Sequence, residues 1–280
     1  MKPNPMKTAI VTDSTADLPI DLATQLNIHV VPAIVIIEGQ SYEDGQGLSR
    51  KQFYEQLPDM QQMPTTASPS AGTFEDLYRQ LLDQGAENII SIHVASQLSG
   101  IYNTAHLAAL AFGDRVQVVD SQSLTLGIGF QAIAAAEAAA QNLPPTKILQ
   151  QIENLRQHTR LIAMLDTLTY IHRSGRVGWA RARIGSLLRI KPFVEVKDGQ
   201  VFNLGQTRTR RNGIEHLRKS LQDLGDLERL AILHSNAPED AQNFLESLDT
   251  IPTDPLIINI TTVIGTHVGP NALGFTAVVR

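Results

Sequence analysis

Several short polar segments carry residue types that could do chemistry. Ser99-Gly100 follows an apolar run and precedes a helical pattern, with Leu98 before it and Tyr102 after. A hydroxyl beside backbone N–H groups at a helix start can bind an anion. The same pair also suits a plain serine N-cap with glycine allowing close packing, and the residues alone leave both readings open. Thr66 lies in Thr65-Thr66-Ala67-Ser68-Pro69-Ser70, a hydroxyl-rich segment stiffened by Pro64 and Pro69. His267 stands in Gly265-Thr266-His267-Val268-Gly269-Pro270-Asn271, read as a glycine-bracketed turn between apolar strands that presents one side chain. A lone histidine is more often structural than functional, and an unperturbed one titrates near neutrality. Asp13-Ser14 and Asp120-Ser121 each follow a strand, where open α/β sheets place their ligand crevice. Capping or turn closure is the stronger reading for both pairs.

A basic stretch stands out in an otherwise acidic chain. Arg173, Arg176, Arg181, Arg183, Arg189, Lys191, Lys197, Arg208, Arg210, Arg211, Arg218 and Lys219 account for 12 of its 23 Lys and Arg, opposed locally only by Glu195, Asp198 and Glu215. Arginine's planar fork suits phosphate or carboxylate recognition, whereas a charge run is commonly a solvated face. The acid-poor surroundings and the Ser174-Gly175-Arg176 loop favour function here.

Much chemistry is excluded. The 280 residues hold no cysteine, which removes disulfides, thiol nucleophiles and thiolate metal sites. The chain lacks G-x-x-x-x-G-K-[ST], G-x-S-x-G, H-E-x-x-H and a G-x-G-x-x-G after a strand, and its eight histidines are scattered. No metal and no cofactor is therefore expected. A formal charge of −5 and 5% aromatics argue against a nucleic-acid binder. The N-terminal apolar run ends at Thr12-Asp13, too short for a signal core, and Gln131 and Glu137 interrupt the most apolar helix, Leu124 to Asn142. A cytoplasmic protein without a membrane segment is expected.

The elements that must position these residues alternate through the first half: strands at Ala9–Val11, His29–Ile37, Asn88–Val94 and Val116–Val119, with helices seeded at Asp17-Leu18-Pro19, Leu48, Thr73 and Ile101. This rhythm predicts a mostly parallel, helix-covered sheet. Pro144-Pro145, with Thr146 capping a helix to His158, marks the expected boundary between domains 1–145 and 146–280. The second half reads as α+β with a mixed or antiparallel sheet: strands at Leu161–Leu165, Phe193–Val196 and Val201–Leu204, joined by an Asp198-Gly199 hairpin. A helix from Asn212, a strand at Leu230–Leu233, a helix from Pro238 and paired strands from Leu256 and Gly274 complete it.

Taken in order, these segments resemble the DegV family of bacterial fatty-acid-binding proteins. Ile10-Val11-Thr12-Asp13-Ser14 resembles the family opening, Thr66 to Ser70 its T-S-Q-P-S loop, and Ser96 to Tyr102 its S-x-L-S-G-T-Y. Val119-Asp120-Ser121 is similar to V-D-S, Tyr170 to Val177 to Y-L-x-x-G-G-R-I, Ile190-Lys191-Pro192 to I-K-P, and Gly265 to Gly274 to G-x-H-x-G-P-G-x-x-G. The resemblance implies two α/β domains with a long-chain fatty acid in a tunnel at or near their interface. Its carboxylate would be bound by Thr66, Ser99 and Gly100, with His267 nearby. It further implies a non-enzymatic carrier that presents the acid to a separate ATP-dependent fatty acid kinase, feeding phospholipid synthesis, with Arg176 and Arg208 in transfer or docking. Ala67, Ser68, Ser174 and Asn271 depart from the family pattern, which would usually have Ser, Gln, Gly and Gly. An enzyme acting on a small anionic metabolite, with Ser99 and His267 as nucleophile and base, is the alternative; no third residue to orient the histidine stands out. A nucleic-acid-binding regulator using the basic stretch is a third reading.

Overall fold

The computed structural model describes residues 7–178 and 190–280. Arg181, Arg183 and Arg189 of the basic stretch lie outside the described residues. In chain order the first elements are β1 (Thr8–Asp13), α1 (Ile20–Gln25), β2 (Ile28–Val31), β3 (Ile34–Ile37), β4 (Gln40–Glu43), α2 (Arg50–Gln56), β5 (Thr65–Ala67), α3 (Ala71–Asp83), β6 (Asn88–His93), α4 (Ile101–Ala109), β7 (Val116–Asp120), α5 (Leu126–Ala140) and α6 (Pro145–His158). They are followed by β8 (Thr159–Met164), α7 (Thr169–Ser174), β9 (Lys191–Lys197), β10 (Gln200–Thr207), α8 (Arg210–Gln222), β11 (Leu227–His234), α9 (Pro238–Glu246), β12 (Leu256–Asn259), α10 (Thr262–Val268) and β13 (Leu273–Val279).

The chain forms two compact units, both discontinuous. One takes the described residues up to Ala33 together with Ser68–Gln157, and the other takes Ile34–Ala67 with His158–Arg280. A single cut at residue 145 does not coincide with this division, since α6 goes with the first unit and residues 34–67 with the second.

The first unit is the expected parallel sheet, in the order β2-β1-β6-β7. Its central strands read as continuous apolar runs, and Ile10, Val11, Ile89, Ile90 and Ile92 are fully buried, as parallel strands covered on both faces require. Helix α3 is capped by Ser70, whose hydroxyl accepts from the Thr73 amide, and buries Phe74 and Tyr78. Asp17 does not cap α1. It closes the short helical turn Ser14–Ala16 in the left-handed region at φ 55°, and Pro19 precedes the helix instead.

The expected strand His29–Ile37 is two strands in two sheets, β2 and β3. Pro32 lies between them; without an N–H it cannot donate to a ladder, and the chain changes sheet there. In the second unit β3 is the middle of a small antiparallel sheet, β4-β3-β5, with Val35 opposite Thr66.

The main sheet of that unit has the order β10-β9-β8-β13-β11-β12. The β9–β10 hairpin turns on Asp198 and Gly199 at φ 50° and 75°, the two positive values that a type I′ turn needs. The strands expected to pair from Leu256 and Gly274 do not pair with each other. Both flank β11, β12 parallel and β13 antiparallel to it. Ile162, Met164, Phe193, Ile232 and Phe275 form one core with Leu217 and Leu221 of α8 and Phe244 of α9.

Candidate functional site

In the second unit, Thr66 and His267 come together from opposite ends of the sequence. Thr66 is on β5, pinned to β3 by its pairing with Val35. His267 is in the last turn of α10, so the glycine-bracketed segment read as a turn is a helix. Thr261 starts that helix, its hydroxyl accepting from the Ile264 amide, and Gly269 ends it at φ 77°. The Tyr170 ring lies where a Gly269 Cβ would stand, 2.2 Å from the nearest ring carbon, so position 269 needs both glycine's conformation and its bareness. Ser235 secures the chain beyond: its hydroxyl donates to the Gly269 carbonyl and accepts from the Ala272 amide, both at 2.7 Å.

Thr66 Oγ1 and His267 Nε2 are 3.2 Å apart. His267 Nδ1 is buried, with no hydrogen-bond partner among the described residues. Burial, and secondarily the positive charge of Arg176, push the imidazole down to about 4, so the ring is neutral at physiological pH. Neutral imidazole carries one proton, and an unmet buried N–H is rarer than an unmet acceptor. A proton on Nε2 would be donated to Thr66 Oγ1 and would leave the threonine's own proton free to be donated elsewhere.

Arg176 follows α7 and Gly175, which closes the helix at φ 71°. The arginine is exposed, its Nη1 donates to the Ser174 carbonyl at 2.5 Å, and its charge reaches His267. Arg208, on the turn between β10 and α8, is exposed. Nothing among the described residues ties it to the Thr66–His267 pair. The rest of the basic stretch divides. Lys191 and Arg210 share Asp166, and Arg210 also bridges to Asp240 and donates to the Asn271 carbonyl. Arg218 pairs with Glu215 along α8. These three have structural partners.

In the first unit, Ser99 lies one residue before Gly100, the N-cap of α4, and Gly100 makes no side-chain cap. Ser99 Oγ accepts from the Ile101 amide at 3.3 Å, and its proton has no acceptor among the described residues. A Cβ on Gly100 would lie 3.1 Å from Ser68 Oγ, so Ser68, one of the departures from the family pattern, sits against this turn. Ser96 is fixed by Asp120, whose carboxylate accepts from its amide and, at 2.6 Å, from its hydroxyl. Asp120 also accepts from the Gln122 amide at 2.9 Å, closing the turn after β7, which is the turn-closing reading favoured for it.

Asp13 does more than cap. Its Oδ1 accepts from the Thr15 amide at 3.0 Å, and its Oδ2 faces His93 Nδ1 at 2.9 Å and the Val94 amide at 3.2 Å. His93 Nε2 lies 2.7 Å from Ser91 Oγ, which accepts from Tyr78 Oη at 2.8 Å. This Ser–His–Asp chain has the distances of a nucleophile relay, but Asp13, Ser91 and His93 are all 0% exposed. No substrate reaches it. Its only sequence signal, alternating polar residues in Ser91-Ile92-His93, is easily lost inside an apolar strand. Among the described residues no three His, Asp or Glu cluster as metal ligands, and no helix is long and apolar enough to cross a membrane.

A parallel α/β unit and a mixed-sheet unit in one chain describe a fold class with known members. The DegV family model ("Uncharacterised protein, DegV family") matches residues 7–280, and the chain belongs to that family. A DegV domain-containing protein of Deinococcus radiodurans is 36% identical over 276 residues, covering 96% of this chain and 97% of the relative. One from Listeria innocua is 34% identical, covering 96% and 98%. Among solved structures, a DegV family protein from Thermus thermophilus, described by its fatty acid binding, superposes with a TM-score of 0.90 at 31% identity, covering 98% of this chain and all of that one. DegV of Bacillus subtilis, described as a fatty acid binding protein, does so at 0.86 and 32%, with the same coverage.

Proposed function

We propose that this protein binds a long-chain fatty acid, its carboxylate held by Thr66, Ser99, Gly100 and His267, and presents it to a separate ATP-dependent fatty acid kinase. The observation that carries the reading is the meeting of the Thr66 hydroxyl with His267 Nε2 at 3.2 Å, beside an imidazole that burial holds neutral. Neutral donors suit this task. A carboxylate held by hydroxyls keeps its charge and stays nucleophilic. In the transfer, one carboxylate oxygen bonds to the γ-phosphorus of ATP on the partner, the bond to ADP breaks, and an acyl phosphate forms for phospholipid synthesis. Arg176 and Arg208 would stabilise that developing charge or dock the acidic partner. Affinity comes from the tail: at ~0.8 kcal/mol per methylene, ~14 of them contribute roughly 11 kcal/mol before immobilisation costs. In this reading the protein is a cytoplasmic carrier, and the phosphoryl-transfer catalyst is the kinase.

The test is direct. Protein purified from a bacterial host should yield about one fatty acid per chain on extraction and mass spectrometry, and delipidated protein should bind palmitate or oleate. Ser99→Ala or Thr66→Val each removes a charge-assisted hydrogen bond of roughly 1.5–3 kcal/mol and should weaken binding about tenfold or more. Lipid-free extracts together with no uptake of added palmitate would end the carrier reading.

A further inference from the structure

The Thr66–His267 hydrogen bond joins residues 201 positions apart on two separate elements, a strand and a helix. Such a bond survives only if the helix cannot slide: one residue of α-helix rises ~1.5 Å, and a hydrogen bond is lost within a fraction of that. Asp44 supplies the stop. It directly follows β4, in the same small sheet whose third strand carries Thr66. Its buried carboxylate accepts from the Thr262 hydroxyl at 2.8 Å and from the Thr262 amide at 3.3 Å, at the first residue of α10.

Helix α10 already has a cap of its own in Thr261, so Asp44 is a second acceptor, brought from another element. Sideways movement is blocked separately. Tyr54 on α2 donates its hydroxyl toward the Ile260 and Thr261 carbonyls, and a Cβ on Gly265 would lie 2.4 Å from that oxygen. The tyrosine sets how close the helix lies, and the aspartate sets its position along its axis.

We propose that Asp44 is a positioning residue for the Thr66 hydroxyl: by tying the first turn of α10 to the β3–β4 hairpin, it holds His267 Nε2 where it donates to Thr66. The effect on the imidazole does not depend on the function proposed above, whereas the effect on ligand affinity rests on it.

Two measurements separate these. First, nitrogen NMR of lipid-free protein with labelled histidine should show His267 protonated on Nε2 in the parent. Asp44→Ala should bring a mixture of tautomers, and Asp44→Asn, which keeps an oxygen able to accept from Thr262, should stay near the parent. Second, palmitate affinity should fall about threefold or more in Asp44→Ala and should fall no further when Asp44→Ala is added to Thr66→Val. An unchanged His267 tautomer in Asp44→Ala overturns the proposal. So does an equal loss of affinity with and without the Thr66 hydroxyl, which would make Asp44 merely structural. If Asp44→Ala does not fold, Asp44→Glu, which displaces the same carboxylate, takes its place in both measurements. If the parent binds no palmitate, the fatty-acid reading fails and the tautomer result still decides the role of Asp44.

Discussion

In the first unit a serine, a histidine and an aspartate form a chain whose hydrogen-bonding capacity is consumed internally. Tyr78 donates to Ser91, Ser91 meets His93, and His93 meets a carboxylate that also accepts from two backbone amides. In the second unit His267 meets one threonine, and its other ring nitrogen has no partner among the described residues. The residue types are nearly the same. What distinguishes the two networks is how much hydrogen-bonding capacity each leaves unmet, and that Thr66 and His267 are half-buried where Asp13, Ser91 and His93 are fully buried.

That contrast breaks most visibly in stability. Asp13→Ala leaves His93 and the Val94 and Thr15 amides without their acceptor in a fully buried setting, and should cost about 3–5 kcal/mol in urea unfolding. His267→Asn should cost under about 1 kcal/mol. Equal losses would mean that the two networks share one role.

Ligand affinity should show the opposite pattern. Thr66→Val is expected to lose about tenfold in palmitate binding, while Ser91→Ala, measured under conditions where it remains folded, should keep the parent's affinity. A Ser91→Ala protein that binds as weakly as Thr66→Val would place the fatty-acid head group at the wrong hydroxyl.

Acid sharpens the comparison further. Burial holds His267 and His234 down to about 4, with Arg176 and Arg50 as the respective lesser causes. In the unfolded chain both titrate near 6.5. Below that pH the unfolded state takes up protons that the folded state refuses. Stability should therefore be level above about pH 6.5, decline from there to about 4, and level off in this contribution below it. His267→Asn should make the decline shallower, and an unchanged profile would show that His267 is not held neutral.

The smallest effect on stability and lipid binding belongs to Arg176→Ala. Removing that charge should raise the His267 titration slightly and leave palmitate affinity within about threefold. On the function proposed above, a partner kinase supplied with ATP should form acyl phosphate far more slowly. Loss of lipid binding in a folded Arg176→Ala protein would move the arginine into the head-group site.

Elements with strong periodicity or clear turn chemistry were legible in the sequence. The parallel strands of the first unit and the Asp198-Gly199 hairpin both follow from local residue patterns. The split at Pro32 and the transfer of residues 34–67 to the second unit were not legible, because a proline inside a β-branched run fixes where a strand breaks and says nothing of which sheet the next one joins. Among the candidate functional residues, Thr66, Ser99 and His267 each stood out by composition and by family resemblance. Asp44, Tyr54 and Ser235 did not, because their roles come from partners 218, 206 and 34 residues away, respectively. His267 was misread as part of a turn because its flanking glycines looked like loop punctuation. Gly265 instead makes room for the Tyr54 ring inside a helix.

The strand order of the second unit has a consequence for how the chain is made. Strand β13 lies between β8 and β11, so the middle of that sheet is the last of its strands to leave the ribosome. Until residues 273–279 emerge, β8 and β11 each have an open edge, and the small sheet bearing Thr66, translated some two hundred residues earlier, still awaits α10. Pairings this distant fold slowly, and open edges of apolar strands invite aggregation in the interval. During synthesis, the half of the molecule that carries His267 is the half that most needs a chaperone.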